Sequence, residues 1–475
     1  MELPSHKRAI RSLALYGASI LLVSAANFLV VPLLIYALGD RTFAVWALLE
    51  PLALAAIPVA GLGLHLGLMH QGRSSSDDLS EAIAKLLMPH AAIAGALGIA
   101  VALLASTSGS SPINALLLGG IVWSEGLLVF FVSVFRSQDR PLAFAAMEGG
   151  RSVAVLTVFA ALTIGSPATA QLVLYLSIRL AAAVIALGLG LQLVRPQWKP
   201  SLSSALSAIK YGGPIVAAAM MVAFLTNFDR YVLFWIGAGA TVTDYTAHSK
   251  LAQTLALATA PFFMWFAPLV MRKLPNGTES HAFFINATSI VLVLTALAAG
   301  SLWLMAPFVW SWIFPSILYD NLLLGFMTAG AAAFALGNTF SIGSLEGGKT
   351  HYSLIVTGIS MLVGIGAAVL IGRFMGPEGV AIGRAAGMAA YTALFATMTV
   401  RSLKIRYPWA KYGTFVALSF IVAVVLSKLL PSTNIVATFF LVTSFLVACC
   451  ALAMAVWPRE SYVALSRLRS SAEIN

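Results

Sequence analysis

Fourteen stretches of mostly apolar residues, each about long enough to cross a bilayer, fill nearly the whole chain. A helix needs roughly 20 apolar residues to span the hydrocarbon core of a membrane. Hydrophobic residues make up 60% of the sequence and charged residues 9%, against about 25% charged residues in a typical soluble domain. The pattern predicts membrane-spanning segments over residues 13–38, 43–68, 87–106, 113–135, 142–164, 170–193, 212–236, 245–270, 283–305, 321–344, 351–373, 379–400, 409–430 and 434–457.

These runs are continuous, which favours helices over a transmembrane β-barrel. A barrel shows segments of about 10 residues with alternating hydrophobicity. We therefore expect an all-α polytopic membrane protein with about 14 transmembrane helices. So little of the chain is left over that a soluble catalytic domain is excluded.

The net charge of +11 would suggest a nucleic-acid partner in a soluble protein. Here the placement of the charges explains it better. With the N-terminus inside, the predicted inner connections and tails hold twenty Lys and Arg residues, and the outer connections hold only Arg41, Arg373 and Lys428. Such an excess on one side sets orientation during insertion. We expect a multi-pass membrane protein with both termini in the cytoplasm and no nucleic-acid partner.

The connection over 195–211 divides the predicted spans. It carries two prolines and a serine cluster, a composition typical of a boundary. Tyr16-Gly17 opens the first span and Tyr211-Gly212 opens the seventh, a weak sign of duplication. We predict an N-terminal lobe over 1–194, a cytoplasmic linker over 195–211, a C-terminal lobe over 212–406, and two extra helices with a tail over 407–475. Two six-helix lobes of the same orientation predict a central cavity between them.

Several segments resemble a family of membrane transporters. They are Tyr211-Gly-Gly-Pro-Ile-Val, Thr226-Asn-Phe-Asp-Arg-Tyr-Val-Leu-Phe-Trp-Ile-Gly237, Thr243-Asp-Tyr-Thr-Ala-His-Ser-Lys-Leu251 and Gly376-Pro-Glu-Gly-Val-Ala-Ile-Gly383. The first forty residues, through Asn27 and Pro32 to Gly39, fit as well. The chain resembles the polysaccharide (O-antigen type) flippases of the multidrug/oligosaccharidyl-lipid/polysaccharide exporter superfamily. This resemblance implies alternating access and a lipid-linked oligosaccharide as cargo, turned from the cytoplasmic to the outer leaflet during cell-surface polysaccharide synthesis. It also implies a location in the bacterial inner membrane.

Charged side chains inside the spans are the candidate functional residues. Each costs roughly 2.5–3.5 kcal/mol to insert, so each is a functional candidate by default. The basic members are Arg151, Arg179, Arg230, Lys250 and Arg384, and the acidic members are Glu50, Glu125, Glu148 and Asp229. Arginine suits a polyprenyl-diphosphate headgroup because its planar fork gives paired hydrogen bonds to phosphate oxygens. We predict that the five basic residues bind the substrate. Arg179 is the foremost candidate because no acidic residue lies within one turn of it.

Glu50, Glu125 and Asp229 are candidates for ion coupling, since a buried carboxylate can take up H⁺ or coordinate Na⁺. Pro51 follows Glu50 and frees a backbone carbonyl, which predicts a cation corner. The alternative is that each carboxylate is paired to an arginine. No cofactor and no metal site are predicted, and the coupling ion is left open between H⁺ and Na⁺.

Structural alternatives exist for several of these charges. Glu148 and Arg151 lie three apart on one helical face and can neutralise each other. Lys250 and Arg384 lie near the outer surface and can extend to the headgroups. Asp229 and Arg230 point about 100° apart on a helix, so we expect them in different environments.

Two other functions are compatible with such a chain. A multidrug antiporter of the same superfamily, coupled to cations or protons, would favour an acidic lumen for its cationic cargo. A membrane-embedded polysaccharide polymerase or ligase would call for a large outer loop with catalytic groups. The outer connections around 106–113 and 306–320 carry almost no ionisable side chains, so we expect no enzyme. The predicted partners are the lipid-linked oligosaccharide, the bilayer, a polysaccharide polymerase and other glycan-assembly proteins.

Overall fold

Apolar helices separated by short polar turns account for the structure throughout. The computed structural model describes residues 6–65, 68, 76–107, 110–138, 140–163, 168–259, 262–263, 281–341, 351–429 and 435–457, and these residues contain no β-strand. The chain is thus all-helical wherever it is described.

The described residues form fourteen helices, which we number in chain order. Their bounds are α1 His6–Val59, α2 Ser76–Thr107, α3 Pro112–Ser137, α4 Pro141–Thr163, α5 Ala168–Val194, α6 Leu202–Leu225, α7 Asp229–Trp235, α8 Val242–Gln253, α9 His281–Ile313, α10 Asn321–Phe340, α11 His351–Met375, α12 Pro377–Leu403, α13 Trp409–Leu429 and α14 Ile435–Val456. Within α4 the turn Ala146–Gly150 is π-helical. A short 3₁₀ turn, Gly239–Thr241, precedes α8.

The predicted polytopic all-α membrane fold is confirmed. Twelve helices of the described part are long and apolar enough to cross a membrane. Helix α1 holds the first predicted span and residues 43–59 of the second, and the predicted seventh span is broken between α6 and α7. The predicted eighth span starts in α8, and the larger part of its remainder lies outside the described residues.

Gly39 separates the two spans of α1. Its backbone has φ 66° and ψ 164°, a conformation outside the helical region. Only glycine adopts such an angle without steric cost. The second half of α1 therefore runs as its own span, with Glu50 and Pro51 inside it.

The helices pack into two compact units. The first comprises Met1–Lys250 with Gly347–Tyr391, and the second comprises Leu251–Glu346 with Thr392–Asn475. The boundaries of these two units differ from those of the lobes, 1–194 and 212–406, that the linker and the weak repeat predicted. The lobes stay a prediction.

In the first unit, small residues let helices approach closely. A Cβ on Gly387 of α12 would lie 2.8 Å from Gly364 Cα of α11, and a Cβ on Gly383 would lie 2.6 Å from Ala368 Cβ. A similar approach joins Gly98 of α2 to the backbone of α3. Close backbone contact of this kind is how helices associate in lipid, where hydrophobicity gives little driving force.

Proline also shapes the first unit. Pro89 lies inside α2 and has no N–H, so the carbonyl of Lys85 lacks a helical donor. The N–H of Ser201 donates to that carbonyl at 3.2 Å. The segment before α6 is thereby held against α2 through a group that proline left free.

The second unit has a core of its own, built on α9, α13 and α14. Leu304, Ala423, Phe445 and Cys449 form a buried cluster. Gly300 makes room for the ring of Phe445, which a Cβ at that position would overlap. Side chains of α12 add hydrogen bonds to α10, since Thr392 donates to the carbonyl of Ala333 at 2.5 Å.

Candidate functional site

A cavity of about 280 Å³ lies within the first unit, between α1, α3, α4 and α5. Aliphatic side chains of α1 form much of its wall, and the other three helices supply charged groups. The charged members are Glu125, Glu148, Arg151 and Arg179, and Asn27, Ser152 and Tyr175 add uncharged polar groups. Two residues predicted to bind substrate and one predicted to couple ions thus meet in one place.

Glu125 on α3 holds both arginines of this cavity. Arg151 Nη1 donates to Oε1 at 2.5 Å. Arg179 donates from Nε to Oε1 and from Nη2 to Oε2, each at 2.8 Å. The contact with Arg179 is the paired fork arrangement, in which two N–H groups meet two carboxylate oxygens. Because the arginines lie on α4 and α5, one carboxylate ties three helices together.

Arg179 is therefore a partnered cation, although its own helix offers no acidic residue within one turn. The partner comes from α3, 54 residues away in sequence. Tyr175, one turn earlier on α5, packs edge-on against Trp46 of α1 with ring centroids 5.5 Å apart. This contact fixes the face of α5 that presents Arg179 to the cavity. Its role in ligand binding stays a prediction.

Glu148 is held more loosely than Glu125. Its Oε2 lies 3.6 Å from Arg151 Nη2, and its side chain is 24% exposed. The predicted pairing of Glu148 with Arg151 is confirmed, but the shorter bond of Arg151 goes to Glu125. Glu148 lies on the π-helical turn of α4, a local geometry that is frequent at functional sites.

A second cluster is centred on Glu50 in the second half of α1. Lys250 Nζ of α8 donates to its Oε1 at 2.8 Å, and Arg230 Nη1 of α7 donates to its Oε2 at 3.2 Å. Arg230 is fully buried. Its Nη1 also donates to the carbonyl of Ala47 at 3.0 Å, the carbonyl that Pro51 deprives of a helical donor. The predicted free carbonyl and the carboxylate of Glu50 thus lie side by side, and Arg230 binds both of them, as in the alternative of a carboxylate paired to an arginine.

A third cluster surrounds Asp229 at the start of α7. Arg384 Nη1 of α12 donates to its Oδ2 at 2.8 Å, and the hydroxyl of Tyr245 donates to the same oxygen at 2.9 Å. Arg384 Nη1 also donates to Ser249 Oγ at 2.5 Å. Asp229 and Arg230 take part in different clusters, as their angular separation on the helix predicted.

The alternative that Lys250 and Arg384 extend to the lipid headgroups is wrong. The side chain of Arg384 is 1% exposed and that of Lys250 is 13% exposed. Both point inward, where a carboxylate lies within hydrogen-bonding distance of each: Glu50 for Lys250 and Asp229 for Arg384.

All three carboxylates predicted to couple ions have a cation of the chain beside them. The pairs are Glu50 with Arg230 and Lys250, Glu125 with Arg151 and Arg179, and Asp229 with Arg384. A coupling ion at any of these positions has to compete with a guanidinium or an ammonium group. Their role in ion coupling stays a prediction. Within the described ranges, no group of three or more His, Cys, Asp or Glu side chains is placed to hold a metal ion.

Sequence reasoning missed Tyr175, Tyr245 and Ser249 as members of these sites. A signal existed for Tyr175, which precedes Arg179 by four residues. Residues four apart share a helical face, so a polar residue at that distance from a membrane charge marks the same surface. The spacing of Tyr245 and Ser249 shows only that these two share a face.

No protein-family model and no curated protein sequence matches the chain. Solved structures share its fold. The lipid II flippase MurJ, in an inward closed conformation, is 12% identical with a TM-score of 0.67, over 94% of this chain and 100% of that chain. A multidrug resistance MATE family transporter of the MOP superfamily, in an inward-facing conformation, is 15% identical with a TM-score of 0.61, over 80% and 94%.

A third structure is the MATE transporter VcmN of Vibrio cholerae in its bent form, 18% identical with a TM-score of 0.59, over 83% of this chain and 97% of that chain. At these identities the likeness establishes the fold. The chain has the same polytopic helical fold as these three structures. The narrower resemblance to polysaccharide flippases stays a prediction.

Proposed function

We propose that the chain is a flippase that moves a polyprenyl-diphosphate-linked oligosaccharide from the cytoplasmic to the outer leaflet by alternating access, for the synthesis of a cell-surface polysaccharide. The observation that carries the proposal is the meeting of Arg151 and Arg179 in a cavity of the first unit. The likeness to the lipid II flippase over 94% of the chain supports it.

The cavity offers the chemistry that a diphosphate headgroup needs. A guanidinium fork pairs with two phosphate oxygens as it pairs with a carboxylate. Glu125 occupies that fork on Arg179, so it stands in the position of an anionic ligand. A headgroup would take the place of Glu125 as the hydrogen-bond acceptor of Arg151, of Arg179 or of both. Each arginine would then keep an anionic partner inside the membrane throughout.

The Glu50 cluster supports the alternating-access part of the proposal. Glu50 belongs to the predicted N-terminal lobe, and Arg230 and Lys250 belong to the predicted C-terminal lobe. The two ion pairs therefore join the predicted lobes and have to break when those lobes separate. A lock of this kind holds one state closed until cargo binding offsets the cost of breaking it.

The excess of Lys and Arg in the predicted inner connections supports a placement of both termini in the cytoplasm. We place the protein in the bacterial inner membrane, as the resemblance to polysaccharide flippases implies. The proposed partners are the lipid-linked oligosaccharide and, beside the flippase, a polysaccharide polymerase with other glycan-assembly proteins.

A multidrug antiporter is the second candidate, and the likeness to MATE transporters favours it. A cationic drug would need a carboxylate free to receive it. Glu125 is instead held by two arginines, which favours an anionic cargo. Catalysis is less favoured than transport because the solved structures with this fold carry the names of flippases and transporters.

The decisive experiment measures the leaflet distribution of polyprenyl-linked oligosaccharides in cells with and without the protein. We expect the lipid-linked units to accumulate on the cytoplasmic side in its absence. Wild-type protein should restore the lipid-linked units in the outer leaflet, and Arg179→Ala should not. The control Arg401→Ala changes an exposed arginine of α12 and should restore them as the wild type does. Unpolymerised units on the outer side would favour the enzyme, and unchanged glycolipids would favour the antiporter.

A further inference from the structure

The four charged side chains of the cavity balance one another. Two carboxylates, Glu125 and Glu148, face two guanidinium groups, Arg151 and Arg179. With all four ionised the cavity is formally neutral. A neutral site has no net attraction for an anionic headgroup, although its arginines are the right groups to bind one. A change in charge would turn this cavity into an anion site.

The two carboxylates differ in how firmly they are held. Glu125 accepts three hydrogen bonds of 2.5 to 2.8 Å from the two arginines. Glu148 has one charged contact, at 3.6 Å, with Arg151. Protonating Glu125 would forfeit three charge-assisted bonds, whereas protonating Glu148 forfeits one long contact. The side chain of Glu148 is also 24% exposed, against 7% for Glu125.

We propose that Glu148 is a proton-binding site, and that a proton there weakens its contact with Arg151 and gives the cavity one positive charge for an anionic headgroup. This inference rests on the flippase function proposed above. The π-helical turn supports it, because the wider turn of Ala146–Gly150 places Glu148 at the cavity while Arg151 resumes the regular helix.

Each helix packed around Glu148 contributes to its surroundings. Helix α3 presents Glu125, and α5 presents Arg179 and Tyr175 to the same cavity. Helix α1 presents Asn27 to the cavity and, further along, Tyr16, whose ring packs against Phe144 of α4. The carboxylate of Glu125 disfavours a negative charge on Glu148, whereas Arg151 and Arg179 favour that charge. Binding of a headgroup to the arginines removes that support and shifts Glu148 toward its protonated form.

Proton and headgroup therefore bind together. By linkage, protonation of Glu148 raises the affinity for the headgroup by the same factor by which the headgroup raises the affinity for the proton. The proton comes from water, bonds to a carboxylate oxygen of Glu148, and returns to water when the headgroup leaves. A headgroup that carries more than one negative charge stays net negative with its proton, so a potential that is negative inside still favours outward movement.

The test is a binding titration of the full chain in phosphatidylcholine nanodiscs with farnesyl diphosphate as the probe, between about pH 5 and pH 8. The affinity of the wild type should rise as pH falls, approaching about tenfold per pH unit where one proton enters with each headgroup. Glu148→Gln should bind tightly throughout and keep only the pH dependence of the probe itself. Glu81→Gln, at an exposed position of α2, should follow the wild type.

A second readout separates this inference from the proposed function. Infrared difference spectra without any probe should show a titrating carboxyl group in the wild type that is missing in Glu148→Gln. If the carboxyl signal is the same in both proteins, or Glu148→Gln keeps the wild-type pH dependence, the inference is overturned. If the carboxyl titrates but the probe binds to no variant at any pH, the proton site stands and the anionic cargo is refuted.

Discussion

The Nη1 atom of Arg230 donates to the carbonyl of Ala47 at 3.0 Å, and that carbonyl is free because Pro51 has no N–H to offer it. The same nitrogen reaches Glu50 at 3.2 Å. One turn of α1 thus presents a carboxylate and a bare carbonyl side by side. A fully buried guanidinium satisfies both.

The Glu50 cluster should show strong energetic coupling. Removing one partner of a buried ion pair leaves an uncompensated charge, which costs about 3–5 kcal/mol. We expect Glu50→Ala and Lys250→Ala each to lower the unfolding free energy, and the double variant to lose less than the sum. A coupling energy of about 1–3 kcal/mol in a double-mutant cycle would fit this contact. Additive losses in thermal or denaturant unfolding would contradict it.

The function of Arg179 should depend on the paired N–H donors of its guanidinium group as well as on its positive charge. Arg179→Lys keeps the positive charge but cannot reproduce the two parallel bonds to Glu125. We therefore expect Arg179→Lys to export poorly. Arg179→Ala and Arg230→Ala should abolish export when it is measured per molecule of protein present in the membrane. Full export by the alanine variants would refute the cationic site, and Arg401→Ala serves as the matched control.

The hydroxyl of Tyr245 should contribute measurably to stability. It donates to Asp229 Oδ2 at 2.9 Å in a fully buried position. A hydrogen bond to a charged group is worth about 1.5–3 kcal/mol, so Tyr245→Phe should lower the unfolding free energy by that amount. Tyr352→Phe, which changes a tyrosine that is 41% exposed, should leave it unchanged. Equal effects of the two variants would rule out the assigned role.

The contact between α11 and α12 should tolerate no added volume. Gly383 meets Ala368 across this contact, and overpacking of a close interface costs about 1–3 kcal/mol. We expect Gly383→Val to reduce stability and the amount of folded protein in the membrane. Gly366 is exposed on α11 with nothing near its absent Cβ, so Gly366→Ala should be neutral or stabilising. Fluorescence-detected size-exclusion profiles on heating compare the two.

The sequence predicts the helices well because each span satisfies its own backbone hydrogen bonds and depends on local composition. It also predicts the free carbonyl before Pro51, since that effect is local. The partners of the membrane charges could not be predicted. Arg179 and Glu125 lie 54 residues apart, and Glu50 and Lys250 lie 200 apart. Such pairs are decided by how helices pack, for which hydropathy carries no information.

The break between α6 and α7 is a further feature that the sequence did not predict. Residues 212–236 form one apolar run, and the sequence predicts one span. The structure ends α6 at Leu225 and restarts the helix at Asp229. Thr226 and Asn227 donate their side-chain groups back to carbonyls of α6. Competition of this kind between side chain and backbone is a known feature of Thr and Asn, and it is visible in the sequence only once the break is known.

The long sequence separations of the ion pairs have a consequence for synthesis. Ribosomes deliver the helices in order, so Glu50 enters the bilayer 180 residues before Arg230 and 200 before Lys250. Glu125 is inserted 26 residues before Arg151 and 54 residues before Arg179. The helices that carry Glu50 and Glu125 thus enter the membrane with an unpaired charge, at a cost of a few kcal/mol each. We expect the insertion machinery to hold these helices until the arginines and the lysine that pair with them have been synthesised.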